Sequence, residues 1–254
     1  METISKRNER YQRLLVILTV VMGMITISMP QRTAAENIEK VQERVQEQEA
    51  EAIISQAILA WHNFMHDPDL SGFRAHLKKV HGVLIFPRLM KGAFVVGVEG
   101  GNGVLLARDE KTGSWSEPAF YEISSASFGL QAGVETSEAI LVIETMKGIE
   151  SLLSRTIKLG ADASAVIGPK GSGIEGATSM NKGNDFVTYA RTQGAFGGLS
   201  LEGGSIRPRD DLNKIYYGSA LRPSDIVLVR NVKSNPQSQM LHHAVVQGAS
   251  RQEK

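Results

Sequence analysis

The chain has 254 residues, with 28 Lys and Arg against 27 Asp and Glu, and it contains no Cys. The length is sufficient for one domain with a substantial core, and a net charge of +1 gives no indication of a nucleic-acid partner. Without Cys there are no disulfides, no thiolate metal sites and no cysteine nucleophile. Composition therefore excludes several kinds of site but assigns no function.

The first 35 residues have the pattern of a secretory signal peptide. Basic residues precede an uncharged run at residues 14–29, and Thr33-Ala34-Ala35 supplies small residues for cleavage after Ala35. As a helix this run would be about 24 Å long, shorter than the roughly 30 Å hydrocarbon core of a bilayer. We therefore predict that residues 1–35 are removed and that the protein is periplasmic or secreted. An anchor formed by the uncleaved N-terminal helix is the alternative.

Residues 36–66 contain neither Gly nor Pro and are predicted to form an acidic helix. A narrow, partly polar stripe follows a 3–4 spacing along it: Ile38, Val41, Val45, Gln48, Ala52, Ser55 and Leu59. We expect this stripe to pack on the domain that follows. The alternative is a coiled-coil contact, which would give a homo-oligomer through residues 36–66. The acidic surface argues against contact with lipid.

The remaining chain changes from helical to strand patterns. Asp67-Pro68-Asp69 ends the helix, and a second short helix places four apolar residues on one side: Leu70, Phe73, Leu77 and Val80. Short apolar runs at 83–86, 139–143 and 226–229 predict buried strands. The longer Gly-, Ala- and Ser-rich stretches at 121–134 and 186–201 suit strands in a curved sheet. A short helix is predicted at 146–155.

Together these elements predict an α+β fold. We expect a mainly antiparallel, curved, Gly-rich sheet with a barrel-like core, and helices packed against it. The domain is predicted to span residues 67–233. Residues 234–254 are polar, include Asn235-Pro236, and are predicted to be a loose tail.

Two ligand-binding patterns are interpreted as structural. Residues 171–176 have the spacing G-x-G-x-x-G, but no helix is predicted to begin there, so we interpret them as a glycine-rich loop. His62 and His66 have the i, i+4 spacing of a zinc chelate, but no third ligand is evident. No serine lies in a nucleophile elbow either. We predict no catalytic residues, no metal site and no cofactor.

Basic and apolar residues come together in a predicted turn at residues 86–91. Arg88 and Lys91 flank Leu89 and Met90 there, and each cation close to an anionic membrane contributes about 1 kcal/mol of binding. The candidate lipid-binding residues are Lys91 and Arg88, then Lys78, Lys79 and Lys111, with Leu89 and Met90 as apolar contacts. A merely solvated charged face is the alternative.

Residues 77–229 resemble the SYLF family, a lipid-binding domain first described in yeast actin-patch proteins that carry SH3 domains. The matching segments are VLIFP at 83–87, WSEPAFY at 115–121, LGADAS at 159–164 and GAFGGLSLEG at 194–203, followed by Asn213 and YYG at 216–218. The resemblance implies non-catalytic binding of anionic membrane phospholipid, with phosphoinositides as the ligand in eukaryotic relatives. Some relatives also bind actin, which we do not expect of an exported chain.

Three functions follow in order of preference. The first is binding of anionic phospholipid, either at a membrane surface or by enclosing a single lipid. The second is a structural or interaction protein of the cell envelope that oligomerises through residues 36–66. The third is an enzyme acting on lipids, for which the sequence offers no catalytic constellation.

Overall fold

The computed structural model describes residues 2–77, 80–93, 96–128, 133–154, 156–168, 183–192, 201, 203–230 and 232–250. The chain divides into two compact units, one ending at Gln46 and the other beginning at Glu47. The sheet and both hydrophobic cores belong to the second unit.

The helices are α1 (Glu2–His66), α2 (Ser71–His76), α3 (Met146–Ser154), α4 (Asp210–Tyr217) and α5 (Pro236–Ser250). A 3-10 turn at Pro68–Leu70 joins α1 to α2, and a π-helical segment occupies Asp225–Val229. In the described part of the chain, none of the helices combines the length and the apolar content needed for a membrane span. The predicted signal peptide stays a prediction.

In the ranges that the structure describes, eight strands form one sheet. They are β1 (Gly82–Ala93), β2 (Val96–Ala107), β3 (Ala119–Phe128), β4 (Gly133–Ile143), β5 (Ile157–Lys158), β6 (Ala165–Ile167), β7 (Phe186–Thr192) and β8 (Ser205–Pro208). Their order is β5-β8-β3-β2-β1-β4-β7-β6, and every pairing is antiparallel except that of β6 with β7. The sheet curls into a half-barrel, so the predicted α+β, mainly antiparallel fold is confirmed.

Each face of the sheet carries its own hydrophobic core. On the α1 face, strand residues such as Ile85 and Tyr189 pack against α1, α2 and α5. Phe73 of α2 makes edge-to-face contacts there with Trp61, Phe64 and Tyr189, at centroid distances of 5.7, 5.6 and 5.2 Å. On the opposite, α3 face, strand residues pack against α3 and the π-helical segment. Each fully buried apolar side chain contributes about 1.5–3 kcal/mol.

A β-bulge interrupts β1 in its middle. From Phe86 to Leu89, β1 advances three residues while the paired β4 advances two. From Ile85 to Met90, β1 advances five residues while the paired β2 advances four. One extra residue is therefore accommodated at Pro87-Arg88. Pro87 lacks the N–H that a regular ladder would use, and bulges are among the few places where a central strand tolerates proline.

The prediction for the apolar stripe of α1 was wrong. The side chains that α1 buries in the second unit come from a different stripe, which is fully apolar: Ala50, Ile53, Ile54, Ala57, Ala60, Trp61, Phe64 and Met65. Ile38, Val41, Val45 and Leu59 of the predicted stripe are exposed. The segment has two apolar stripes, and the one that packs carries the aromatic residues that fit the α1-face core.

Two further predictions were wrong near the C-terminus. The loose tail is instead α5, which buries Leu241 and Val245. Asn235 begins this helix as a cap, since its Oδ1 accepts from the N–H of Ser238 (2.9 Å) while Ser238 Oγ accepts from the N–H of Asn235 (3.0 Å). Residues 226–229 belong to the π-helical segment rather than to a strand, because a four-residue apolar run has no period that separates the two.

Several predicted elements are confirmed. The helix predicted at 146–155 is α3, the runs at 83–86 and 139–143 lie in β1 and β4, and the four residues predicted to face inward from the second helix are all buried. The stretch 121–134 supplies parts of two strands, β3 and β4. The glycine-rich loop at 171–176 lies outside the described residues.

Candidate functional site

A cavity of about 380 Å³ opens between α1 and the bulged part of β1. Its lining comes from four elements: Gln56, Leu59 and Asn63 of α1, Pro87 and Arg88 of β1, Thr136, Ser137 and Glu138 of β4, and Arg191 of β7. We call it the Arg88 groove. It combines apolar, amide, hydroxyl and guanidinium groups, which suits an amphiphilic ligand better than a purely apolar one.

The bulge places Arg88 on the α1 face, where its side chain is exposed at the groove. Within the described ranges, no hydrogen bond or ion pair holds its guanidinium. A guanidinium offers five N–H donors in a planar fork that matches carboxylate or phosphate oxygens. Arg88 is therefore a cation at the groove that is available to an anion.

The second arginine of the groove is neutralised by the protein itself. Arg191 Nε donates to Asp67 Oδ2 (2.8 Å) and Arg191 Nη1 donates to Glu138 Oε2 (2.8 Å). Asn63 Nδ2 donates to the other oxygen of Glu138 (2.9 Å). Burial opposes the charge on Arg191, but the hydrogen bonds from both carboxylates outweigh it and raise the pKa of the guanidinium. This network ties α1 to β4 and β7. Of the two arginines that line the groove, Arg88 is the one that no described residue pairs.

The sequence patterns did not identify this network. Glu138 and Arg191 lie next to or within strand segments and were interpreted only as part of the sheet. A usable signal was present: Ala139, Leu141 and Ile143 face one side of β4, so Glu138 must face the other. A charge on that second side, which also carries Ile140 and Val142, requires a partner.

The structure separates the residues that were predicted to lie together in an exposed turn. Residues 86–91 form a bulged central strand, so the predicted turn was wrong. Arg88 and Met90 lie on the α1 face, whereas Leu89 and Lys91 lie on the α3 face. Leu89 is fully buried in the α3-face core and is not an exposed apolar contact.

Lys91 lies in a row of charges on the α3 face. It is in register with Glu99 of β2 on one side and with Glu135 of β4 on the other, and directly opposed residues share a face. Burial raises the pKa of Glu99, and Glu135 adds to the rise, while the positive charge of Lys91 opposes it. Two carboxylates thus compete with any external anion for Lys91.

Lys111, another of the predicted cations, is not among the residues that line the groove. Lys111 is exposed in the turn between β2 and β3, where Asp109 Oδ1 accepts from the N–H of Lys111 (2.9 Å) and of Thr112 (2.8 Å). Lys78 and Lys79 lie outside the described residues.

His62 and His66 lie at a second cavity, of about 530 Å³, between α1 and α5. Their rings stack at 4.0 Å between centroids, and His66 Nδ1 is 2.8 Å from the carbonyl oxygen of His62. In the ranges that the structure describes, no three potential ligands come together in a metal-binding group.

The motif segments LGADAS and WSEPAFY serve the fold. Asp162 Oδ2 accepts from the N–H of Lys158 (2.9 Å), and the N–H of Ser164 donates to Asp185 (3.1 Å). Tyr217 donates to the carbonyl of Pro118 (2.6 Å), and the side-chain oxygen of Asn213 accepts from the N–H of Phe120 (2.8 Å). These contacts fix loops against the sheet and do not line the groove.

Comparison with known proteins finds a family model and relatives that match part of this chain. Residues 124–247 match a family model described as Ysc84, Las17-binding protein actin regulator. The chain is similar to SH3 domain-containing YSC84-like protein 1 of Bos taurus, with 30% identity over 59% of this chain and 44% of that protein. It is also similar to LAS seventeen-binding protein 3 of Saccharomyces cerevisiae, with 32% identity over 56% of this chain and 31% of that protein. The chain thus spans less than half the length of either relative.

Proposed function

Since this chain carries a domain of the Ysc84 family, we propose that it is a non-catalytic binding protein whose ligand is an anionic phospholipid. The names of its relatives refer to binding and to the regulation of actin. We carry over the binding role and not the actin partner, because the signal-peptide pattern of residues 1–35 predicts export to the periplasm or out of the cell. An anchor formed by the uncleaved leader is the alternative location.

The observation that carries the proposal is Arg88, which has no partner among the described residues and lies beside exposed apolar side chains. Leu59 lines the same groove, and Met90 follows on the same face of β1. A phosphate group held by Arg88 would leave the acyl chains of its lipid next to these two residues. Cation and apolar surface side by side are what the boundary between headgroups and acyl chains requires.

A non-catalytic role is supported by the state of a titratable trio elsewhere on the α1 face. His76 Nε2 is 2.7 Å from Glu144 Oε1, and His76 Nδ1 is 3.1 Å from the hydroxyl of Tyr189. Such a line of groups could in principle activate a hydroxyl nucleophile. Burial, with the negative charge of Glu144, raises the pKa of Tyr189 far above neutrality, and its ring is packed in the core. We therefore assign the trio a structural role, as polar side chains in close contact beside the core.

Vesicle sedimentation with the full chain tests the proposal. Vesicles of phosphatidylglycerol and phosphatidylcholine are compared with vesicles of phosphatidylcholine alone, at low and high salt. We expect binding only to the anionic vesicles and weaker binding at high salt. Arg88→Glu replaces attraction by repulsion, so at about 1 kcal/mol per charge it weakens binding roughly 30-fold.

Lys214→Glu is the matched control, because Lys214 is an exposed cation of α4 away from the lining of the groove. We expect it to bind nearly as well as the unaltered chain. If both variants lost vesicle binding equally, the loss would be due to the change in net charge, and the groove would be rejected as the binding site. Unchanged binding by Arg88→Glu would also reject it.

A further inference from the structure

We propose that α1 pairs with α1 of a second copy of this chain as a parallel, two-stranded coiled coil. The contact would be made by the stripe that α1 leaves exposed, which begins with Ile38, Val41 and Val45. Ile38, Val41 and Val45 are not among the residues that line the Arg88 groove, whereas Leu59, at the end of the stripe, is shared with it. The proposed pairing goes beyond the proposed lipid-binding function.

The first argument is the spacing of the stripe and its exposure. Successive members are separated by 3, 4, 3, 4, 3 and 4 residues, which is the heptad repeat of a coiled coil and continues unbroken to Leu59. Ile38, Val41, Val45 and Leu59 are 60, 58, 57 and 64% exposed. Isolated exposed apolar residues need no explanation, but four in one heptad phase do.

The second argument is the choice of residues at the two core positions. With Ile38 at position a, the a positions are Ile38, Val45, Ala52 and Leu59, and the d positions are Val41, Gln48 and Ser55. Ile38 and Val45 are the β-branched residues that two-stranded parallel coiled coils favour at a, although the d positions here lack the Leu that usually accompanies them. Gln48 is polar at the centre of the seam, and a buried polar group of this kind fixes the register at some cost in stability.

The third argument is charge. A parallel pair brings each g position next to the following e position of the partner helix. In this phase Arg44 is at g and Glu49 is at the following e, so the two copies would form two opposite-charge contacts. Within its own chain, Glu49 Oε1 already accepts from Asn102 Nδ2 (2.8 Å) and lies 3.6 Å from Arg209 Nη1, so the contact with Arg44 of the second copy would use Oε2. A membrane is a less suitable partner for this stripe. Residues 36–51 carry six Glu but only two cations, Lys40 and Arg44, and this negative charge would repel an anionic bilayer.

Cysteine cross-linking tests the pairing directly, because the chain contains no Cys of its own. Val41→Cys places a thiol at d, where a parallel, in-register pair brings the two Cα atoms within the roughly 7 Å that a disulfide can bridge. Lys40→Cys, one residue earlier and outside the seam, is the control. Each full-length variant is oxidised in mild detergent and separated on a non-reducing gel.

We expect a disulfide-linked dimer from Val41→Cys and essentially none from Lys40→Cys. Adding Val45→Glu to the Val41→Cys chain should abolish the dimer by burying a charge in the seam. Adding Val229→Glu, at an exposed apolar residue outside the stripe, should leave it intact. Adding Arg88→Glu should also leave it intact, which separates this proposal from the lipid-binding one.

Three results would overturn the proposal. Equal cross-linking at positions 40 and 41 would indicate random collision, and no cross-linking at position 41 would exclude a parallel pair in register. If Val45→Glu leaves the cross-link unchanged but abolishes sedimentation with anionic vesicles, the stripe is a membrane contact instead.

Discussion

Two buried carboxylates, at different places in the sheet, behave in opposite ways. Asp185 comes just before β7 and Glu99 lies in β2, and they are only 3% and 6% exposed. Burial disfavours ionisation in both. Yet the pKa of Asp185 is lowered, because its hydrogen bonds outweigh the effect of burial, whereas burial raises the pKa of Glu99.

The donors around each group account for the difference. Asp185 accepts from Thr145 Oγ1 (2.8 Å), from the N–H and the hydroxyl of Ser164 (3.1 and 3.2 Å) and from Lys147 Nζ (3.3 Å). It thereby joins the start of α3, the LGADAS segment and β7. Glu99 Oε1 is buried and has no hydrogen-bond partner in the described ranges. The hydrogen bonds around Asp185 therefore stabilise the folded chain. The buried Oε1 of Glu99, which has no described partner, lowers the stability of the folded chain.

Removing Asp185 should give the largest effect. Asp185→Ala leaves the partly buried donors of Thr145 and Ser164 without this acceptor, so we expect a loss of about 2–4 kcal/mol in the free energy of unfolding. Urea denaturation measures it. Asp210→Ala, at an exposed Asp in the first turn of α4, should cost less than about 1 kcal/mol. Similar losses in the two variants would contradict the role given to Asp185.

The same carboxylate should make stability depend on acid. Because its pKa is lower in the folded chain than in the unfolded chain, the stabilisation from Asp185 is complete above the unfolded pKa of about 3.9 and disappears as the pH falls through the folded value. The stability difference between the unaltered chain and Asp185→Asn should therefore shrink below about pH 4. A difference that stays constant from neutral pH to acid would show that charge is not involved.

Glu99→Gln should have a smaller effect of the opposite sign. Since the folded pKa of Glu99 is raised, the proton it binds stabilises the fold below the unfolded pKa, and this stabilisation is lost as the pH rises through the folded value. A neutral amide avoids that loss, so we expect a gain of about 0.5–1 kcal/mol at pH 7 and none in acid. Glu135→Gln, at the exposed carboxylate on the other side of Lys91, should change stability less. Destabilisation by Glu99→Gln at pH 7 would mean that the contact with Lys91 dominates.

Lys147→Ala should have the smallest effect. Lys147 reaches Asp185 at 3.3 Å, but its side chain is largely exposed, and exposed ion pairs contribute about 0.2–1 kcal/mol. Urea denaturation of Lys147→Ala and Thr145→Ala compares a surface partner of Asp185 with a partly buried one. A larger loss from Lys147→Ala would reverse the ranking.

Sequence patterns predicted the elements whose periodicity is strong. Two patterns were sufficient to predict their elements: the apolar runs in β1 and β4, and the spacing of Leu70, Phe73, Leu77 and Val80. Positions that are buried in a helix or strand hold apolar residues, so burial can be predicted from residue type. The same rule failed for α1, which has two apolar stripes. Which stripe packs depends on the aromatic partners supplied by α2 and β7, and a single segment cannot show that.

The candidate site could be predicted only in part. Arg88 was identified as a cation beside apolar residues, but Lys91 and Leu89 were placed with it because the bulge was not anticipated. Pro87 was interpreted as a turn residue, although a proline flanked by apolar strand residues also fits a bulge. The contact between Arg191 and Asp67 spans 124 positions in the chain, and no local pattern reveals such a pairing.

The extra residue in β1 has a consequence for comparing this chain with its relatives. It reverses the phase of in-and-out alternation for everything that follows in the strand, so Met90 and Lys91 occupy the sides that an uninterrupted strand would give to the other residue. In a relative with one residue fewer in this bulge, the next cation of the strand would lie on the opposite side of the sheet, even if the two sequences align well. The number of residues between Phe86 and Gly92 therefore indicates which homologues share the Arg88 groove.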